Sequence, residues 1–289
     1  MSEIARFPLY DLHSHTQASD GVLSPTALVQ RAASMQVGVL AITDHDTVGG
    51  VEEAQRAAHG LPLRVLAGVE ASTLWENHEI HIVGLDLDCQ HPALNHFLAQ
   101  QHQCRMTRAQ AIAERLDRAR IPNALAGAER LAQGGVITRG HFARYLVEIG
   151  KADNMANVFK HYLARGKTGY VPPQWCTIKQ AIDAIHHSGG VAVLAHPGRY
   201  GLSAKWLKRL IAHFAEAGGD AIEVAQCQQP PNERTQLAGY ARDNGLAGSQ
   251  GSDFHQPCPW IELGRKLWLP GGVEPVWERF PQLAPLASA

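Results

Sequence analysis

"VGVLAITDHD", residues 37–46, decides the fold. From Val37 to Thr43 the chain carries no charged or amide side chain. An apolar run without alternation suits a strand covered on both faces, as in a parallel sheet wrapped by helices. The run then breaks into Asp44, His45 and Asp46. Upstream, "SPTALVQRAASMQ" opens with Ser24 as an N-cap and Pro25 at the first helical position, and Ala27, Leu28, Ala32 and Met35 recur at helical spacing. Before that helix lies the short apolar strand "FPLYDL", residues 7–12. Downstream come a helix near "GGVEEAQRAAHG" and the strands "LRVLAGVEAS" and "HEIHIVGLDL". Strands alternating with helices predict a parallel sheet or barrel.

The pattern changes between residues 91 and 165. "HPALNHFLAQQHQCRMTRAQAIAERLDRARI" reads as one long helix, and "NALAGAERLAQ", "TRGHFARYLVEIG" and "MANVFKHYLARG" read as shorter ones, with no clear strand among them. This stretch is predicted to be an all-helical insertion, a cap on the α/β domain formed by residues 1–90 and 166–289. Alternation resumes after "GYVPPQWCT": helix 178–189, strand "GVAVLAH", helix 203–218, strand "DAIEVA", helix 231–244, strand "LAGSQGSD". The final "APLASA" reads as a loose tail.

Composition narrows the class. A chain of 289 residues, 45% hydrophobic, buries a sizeable core. With 26 basic and 27 acidic side chains the net charge is -1, which gives no global field for long duplex nucleic acid. No apolar run reaches the ~18 residues needed to span a bilayer, and the N-terminus lacks a signal-peptide core. Five scattered cysteines without a CxxC pair predict a reduced, cytoplasmic protein with no disulfide framework. Oligomeric state is left open.

Histidine is over-represented, with 16 in the chain, and its placement is more telling than its number. Ligand-type residues recur where strands end: His13 and His15, with Asp20 beyond; His45; Glu70; His81; His196; Asp253 and His255. His13 and His15, like Asp253 and His255, stand two apart, so on extended chain each pair points to one side. Strand ends of an α/β sheet converge on one site. Six histidines, one glutamate and two aspartates are too many for one tetrahedral ion and suit two or three divalent ions. Imidazole and carboxylate without thiolate favour manganese, iron or zinc over calcium or magnesium, and manganese is the first choice. Asp44 and Asp46 flank His45, so either is placed to accept a hydrogen bond that fixes its tautomer. Asp46 and Glu223 are set behind the ligands rather than among them.

The motifs "DLHSHTQASDG", "AITDHDT", "GVE", "HIVGL", "AHPGRY" and "GSDFH" resemble those of the polymerase and histidinol phosphatase (PHP) family over the whole chain. The resemblance implies a distorted (β/α)7 barrel carrying a trinuclear metal centre that hydrolyses phosphoesters. It further implies that His13, His15, Glu70 and Asp253 hold one ion, that Glu70, His81 and His196 hold a second, and that Asp20, His45 and His255 hold a third.

A phosphate dianion calls for arginine. Arg199 follows His196 closely and is assigned a catalytic role with His196 and His255. Thr138 is a candidate N-cap that puts Arg139 in the first turn of a helix, where a second anion would sit, with Arg144 farther along. Lys167 and Tyr170 mark the rim where the insertion returns, and Tyr170 or Tyr200 stands either to stack on a base or to pack. "TRGHFAR" and "GKTGYVP" are similar to a bacterial subgroup of the family. That subgroup implies removal of the 3′-phosphate from nucleoside 3′,5′-bisphosphates, such as adenosine 3′,5′-bisphosphate to AMP, and 5′-to-3′ digestion of short 5′-phosphorylated RNA. The rival readings are histidinol phosphate phosphatase, which needs only one phosphate site, and a non-catalytic metal-binding protein.

Overall fold

The structure is a computed structural model that describes residues 8–285. Phe7 of the first strand motif and the last four residues of "APLASA" lie outside that range. In chain order the elements are β1 (Leu9–Asp11), α1 (Pro25–Ser34), β2 (Val37–Ile42), α2 (Val51–Ala57), β3 (Arg64–Trp75) and β4 (His78–Leu85). The helical stretch follows as α3 (Pro92–Arg118), α4 (Ala124–Ala132), α5 (Arg139–Glu148) and α6 (Met155–Val158), the last running into a π-helical turn at Phe159–Leu163. The remainder is β5 (Cys176–Thr177), α7 (Ile178–His187), β6 (Val191–Leu194), α8 (Ala204–Glu216), β7 (Ala221–Ala225), α9 (Pro231–Asp243), β8 (Ala247–Gln250) and α10 (Val276–Arg279).

The strands form one mixed, mostly parallel sheet in the order β1-β2-β3-β4-β6-β7-β8, with β5 beside β3. Alternation along β2 explains its unbroken apolar run. Val39 and Ala41 pack on one face with Tyr10, Leu66 and Val193, over Val276 and Leu283. Leu40 and Ile42 pack on the other against Leu28 and Val29 of α1 and Ala54 of α2. Both faces are thus buried, as in sheets with helical crossovers. The expected purely parallel pairing needs one correction: β4 runs antiparallel to both β3 and β6. No helix separates β3 from β4. The two-residue turn Glu76-Asn77, with φ of 47° and 64°, reverses the chain directly, as hairpin turns with two left-handed residues do.

Ser24 caps α1 by accepting from the Ala27 amide, as its sequence predicts. The helical stretch carries a hydrophobic cluster of its own, built on Ile112, Leu116, Phe142, Leu146 and Leu163. The two ends of the strand order also meet: Leu12 N–H donates to Gln250 O at 3.1 Å, His15 N–H to Phe254 O at 2.9 Å and Asp253 N–H to His13 O at 2.9 Å. No helix among the described residues is long and apolar enough to cross a membrane.

Candidate metal centre and substrate clefts

The strand-end residues converge as their positions predict. Glu70, on β3 and 1% exposed, is the hub. Its Oε2 lies 3.3 Å from His13 Nε2, 3.2 Å from His15 Nε2 and 3.0 Å from His45 Nδ1. Its Oε1 lies 2.8 Å from His81 Nδ1 and 2.9 Å from His196 Nε2. Asp253 Oδ1 is 3.4 Å from His13 Nε2 and 3.2 Å from His15 Nε2. Asp20 Oδ1 is 3.3 Å from His255 Nε2 and 3.8 Å from His45 Nε2. All nine residues are therefore brought together. The tightest groupings are His13–His15–Glu70–Asp253, His15–Asp20–His45–His255 and His45–Glu70–His81. His15 and His45 each belong to two of them, and His196 touches Glu70 from outside the third.

The backbone is strained where these side chains turn inward. Asp46, His196 and Asp253 have φ of 50°, 29° and 53°, a region that favours glycine and recurs at functional sites. Gly251 is required for a different reason: a Cβ there would stand 2.3 Å from His13 Cβ and 3.1 Å from Glu223 Oε1.

The residues beside the ligands sort themselves by partner. Glu223 Oε1 is 2.6 Å from His13 Nδ1, while its Oε2 accepts from the His196 and Gln226 nitrogens. This fixes the His13 ring with Nε2 facing the cluster. The carboxylates flanking His45 do not serve it. Asp44 accepts from Thr16 and Ser19. Asp46 accepts from Ser72, Gln101 and Arg105, the last at 2.6 Å. Both already have stronger partners, so the expectation that either orients His45 is corrected.

The electrostatics call for cations. Burial opposes charge on His13 and His15, yet Glu223, Glu70 and Asp253 hold His13 well above its ordinary range, and Asp253 and Glu70 lift His15 to about 10. Burial likewise opposes charge on Glu70, Asp20 and Asp253, but the surrounding imidazoles keep all three carboxyls well below the usual range. His45 differs: burial outweighs its carboxylate neighbours and takes it down to about 3. A cation bound at these ring nitrogens would compete with protons for them. The fit is tested by atoms left over. Asp20 Oδ1, Glu70 Oε2, His45 Nδ1 and His196 Nδ1 are buried with no hydrogen-bond partner. Buried acceptors that face one another unpaired are costly unless a cation lies between them. The donor set therefore fits divalent ions.

A cleft of about 280 Å³ opens onto this cluster, with Asp20, His45, His81 and His255 at its floor and Arg105, Arg108, Arg139, Phe159 and Trp175 in its walls. Thr138 caps α5 in a capping box with His141, and its hydroxyl donates to Asp20 Oδ2 at 2.9 Å. Asp20, weakly supported as a loop residue in sequence, is thereby held with Oδ1 toward His45 and His255. Arg139 pairs with Glu79 at 3.0 Å. Arg108, 8% exposed, pairs with the same Glu79 at 3.0 Å and lies over the Trp175 ring. Its Nη2 is buried without a partner. Burial raises the Glu79 carboxyl, but the two guanidiniums overcome that and hold it well below its ordinary range. Arg199 pairs with Asp253, and Arg144 donates to the Asp20 carbonyl.

Two expected contacts are not made, and of the two readings of Tyr200 the packed one holds. Lys167 is exposed in a backbone turn, and neither it nor Tyr170 lines this cleft or its neighbour. The Tyr200 hydroxyl is spent between His81 N–H and Ala195 O, both at 2.9 Å, so it braces the strand ends and does not stack on a base. Conversely, Glu79, Gln101, Arg105, Arg108 and Trp175 were not singled out from sequence. Gln101, Arg105 and Arg108 left a signal, a polar interruption in the buried stripe of α3, where Leu94, Phe97, Leu98, Gln101, Arg105, Arg108 and Ile112 follow at helical spacing; Glu79 and Trp175, which lie outside that helix, left none.

Comparison with known proteins agrees with this geometry. The PHP domain matches residues 11–170. The 5′-3′ exoribonuclease Rnm of Escherichia coli (strain K12) is 70% identical over 284 residues, 98% of this chain and 97% of that protein. The 3′,5′-nucleoside bisphosphate phosphatase of Chromobacterium violaceum is 41% identical over 269 residues, 92% of this chain and 94% of that one. A solved structure of an amidohydrolase from Chromobacterium violaceum, with bound sulfate and no metal, superposes with a TM-score of 0.90 at 40% identity, covering 96% of this chain and 98% of that one.

Proposed function

The chain belongs to the PHP domain family, and on that footing we propose that it is a metal-dependent hydrolase. Its reaction removes the 3′-phosphate of nucleoside 3′,5′-bisphosphates and digests short 5′-phosphorylated RNA from the 5′ end. The observation that carries the reading is the buried, unpartnered Arg108 Nη2 beside Arg139, in the same cleft as the metal-type floor. One phosphate goes to the floor and a second to the arginines. A substrate with a single phosphate, such as histidinol phosphate, leaves the second position without use.

We read the sheet as a distorted (β/α)7 barrel of residues 1–90 and 166–289, which the hydrogen bonds between the β1 and β8 ends support. Residues 91–165 form its cap, supported by their separate hydrophobic cluster. His13, His15, Glu70 and Asp253 would hold one ion, Glu70 with His81 and His196 a second, and Asp20, His45 and His255 a third. Manganese is our first choice, iron or zinc the next. When bound, such ions supply an acidified water as nucleophile and neutralise phosphoryl oxygens.

The chain's own side chains do the rest. Arg108 and Arg139 anchor the 5′-phosphate and so fix the 3′-phosphate over the floor. Arg199 neutralises a non-bridging oxygen of the phosphate being cleaved. His255 donates Nδ1–H to the Asp253 carbonyl at 3.0 Å, which fixes its ring with Nε2 on the floor. We therefore assign His255 and His196 to holding the centre, not to proton transfer. Glu79 keeps both arginines extended until phosphate arrives. We place the activity in the cytoplasm, consistent with five free thiols.

The test is phosphate release from a panel of nucleoside 3′,5′-bisphosphates, with manganese and with chelator, beside 5′-phosphorylated RNA and histidinol phosphate. Metal-dependent release of phosphate from bisphosphates and of nucleoside 5′-monophosphates from RNA is expected. Preference for histidinol phosphate, or no hydrolysis at all, overturns the reading.

A further inference from the structure

A second cleft, of about 250 Å³, lies on the other side of Asp20, Gly140, Met155 and His255, which wall both spaces. Its own lining is Arg144, Arg199, Asp253, Gln256, Cys258 and Ile261. Between the last two in sequence stands Trp260, 70% exposed, the most exposed large apolar side chain among the described residues. Trp268, the next most exposed, already covers the Arg234 guanidinium at 4.7 Å. The Trp260 loop is held by its backbone: Pro259 O accepts from Arg265 at 2.7 Å, and Ile261 N–H points to Cys258 Sγ at 3.3 Å. The indole is thus offered to solvent from a loop whose flanking residues, Cys258 and Ile261, line the cleft.

We propose that this second cleft is the track for the part of an RNA chain lying 3′ of the cleaved phosphate, and that Trp260 stacks on the first base beyond it. The proposal rests on the hydrolase reading above. A nucleoside 3′,5′-bisphosphate and an RNA differ at the scissile phosphate by one substituent, since an oxygen that is free in the first carries the next nucleotide in the second. In both, water adds its oxygen to phosphorus, the O3′–P bond breaks, and the 3′-oxygen leaves with a proton from that water. The phosphate stays on the downstream chain, so each turn regenerates the 5′-phosphate that Arg108 and Arg139 need. The first cleft holds the departing nucleotide, so the downstream chain must leave past its wall. The second cleft opens there, beside His255 and Asp20. Arg144 and Arg199 offer guanidinium groups to the backbone phosphate beside the carboxylates of Asp20 and Asp253, and an exposed indole near such groups is how single strands are gripped without regard to base.

The test compares two substrates on metal-replete protein: adenosine 3′,5′-bisphosphate and a 5′-phosphorylated RNA hexamer. Trp260→Ala should raise KM for the hexamer roughly tenfold, within the usual range for loss of one stacked base, and leave kcat/KM for the bisphosphate within about twofold. Trp260→Phe should restore most of the loss. In chelator, where no hydrolysis occurs, the hexamer should quench the wild-type emission more than that of Trp260→Phe. Equal effects on both substrates, an unchanged hexamer KM, or a wild type that cleaves the bisphosphate but not RNA each overturn the proposal. A wild type that cleaves neither overturns the hydrolase reading beneath it.

Discussion

Replacing Arg108 with alanine separates the anchoring of one phosphate from the chemistry at the other. Arg108 Nη1 pairs with Glu79, Nε donates to Val171 O at 3.3 Å, and the buried Nη2 has no partner within the chain. A hydrogen bond to a charged group contributes about 1.5–3 kcal/mol, which at ~1.36 kcal/mol per decade is roughly 10- to 150-fold in kcat/KM. The loss should fall on adenosine 3′,5′-bisphosphate and on 5′-phosphorylated RNA. Adenosine 3′-monophosphate, which has no 5′-phosphate, should be cleaved by wild type and variant at rates within about threefold of each other. Glu79 keeps Arg139 and the Trp175 N–H as partners in the variant, so the fold survives the change. The assay is a cycle of two enzymes and two substrates, with phosphate release as the readout. Equal losses on both substrates would refute the anchoring role and leave Arg108 a structural residue.

Glu79→Gln should lower KM for the bisphosphate several-fold, because both arginines are freed. It should also lower Tm in the free protein, since two cations lose their counter-ion, and added phosphate should recover much of that Tm; a raised KM would sink this account. Glu223→Gln removes the carboxylate behind His13 and should weaken metal affinity 10- to 100-fold, measured by competition with a chelator, where an unchanged affinity contradicts the assigned role. His141, 1% exposed, has its value lowered from 6.5 to about 4, chiefly by burial. The folded chain therefore resists protonation there, and its stability is full above pH 6.5 and falls as the pH drops toward 4, by on the order of 3 kcal/mol. His141→Gln keeps a side chain able to complete the capping box and should flatten that part of the urea-midpoint profile in chelated protein; parallel profiles would refute it.

Much of this site could be read from sequence because a strand end is a local signal. An apolar run that stops in histidine or carboxylate names both the element and the direction of the side chain, and eight of the nine such residues fall into three overlapping donor groupings, with His196 touching Glu70 beside them. What sequence could not supply was partnership across distance. Glu223 was visible as a strand-end carboxylate, but its contact with His13 spans 210 positions. Arg105 and Arg108 were hidden by their type, since arginine on a long helix ordinarily faces water, and only burial against Asp46 and Glu79 shows otherwise. Asp44 and Asp46 misled for the opposite reason: adjacency to His45 suggested a contact, while Asp44 is taken by Thr16 and Ser19 and Asp46 by Ser72, Gln101 and Arg105. The β3–β4 pair was read as two consecutive strands, and its antiparallel sense was legible only in the turn between them, where Asn77 suits the left-handed conformation that reverses the chain.

The pairing of Asp253 N–H with His13 O also bears on how the protein is made. On the ribosome His13 and His15 must wait some 240 residues for Asp253. At ~5–20 residues per second, that wait lasts on the order of ten to fifty seconds. During it Glu70 is already made, so His13 and His15 lack only Asp253 to complete their four-residue grouping. That grouping is therefore completed late, coupled to the longest-range contacts of the fold, which are the slowest class to form. A nascent chain stalled before residue 253 would hold much of the sheet and lack the first complete four-residue grouping of donors.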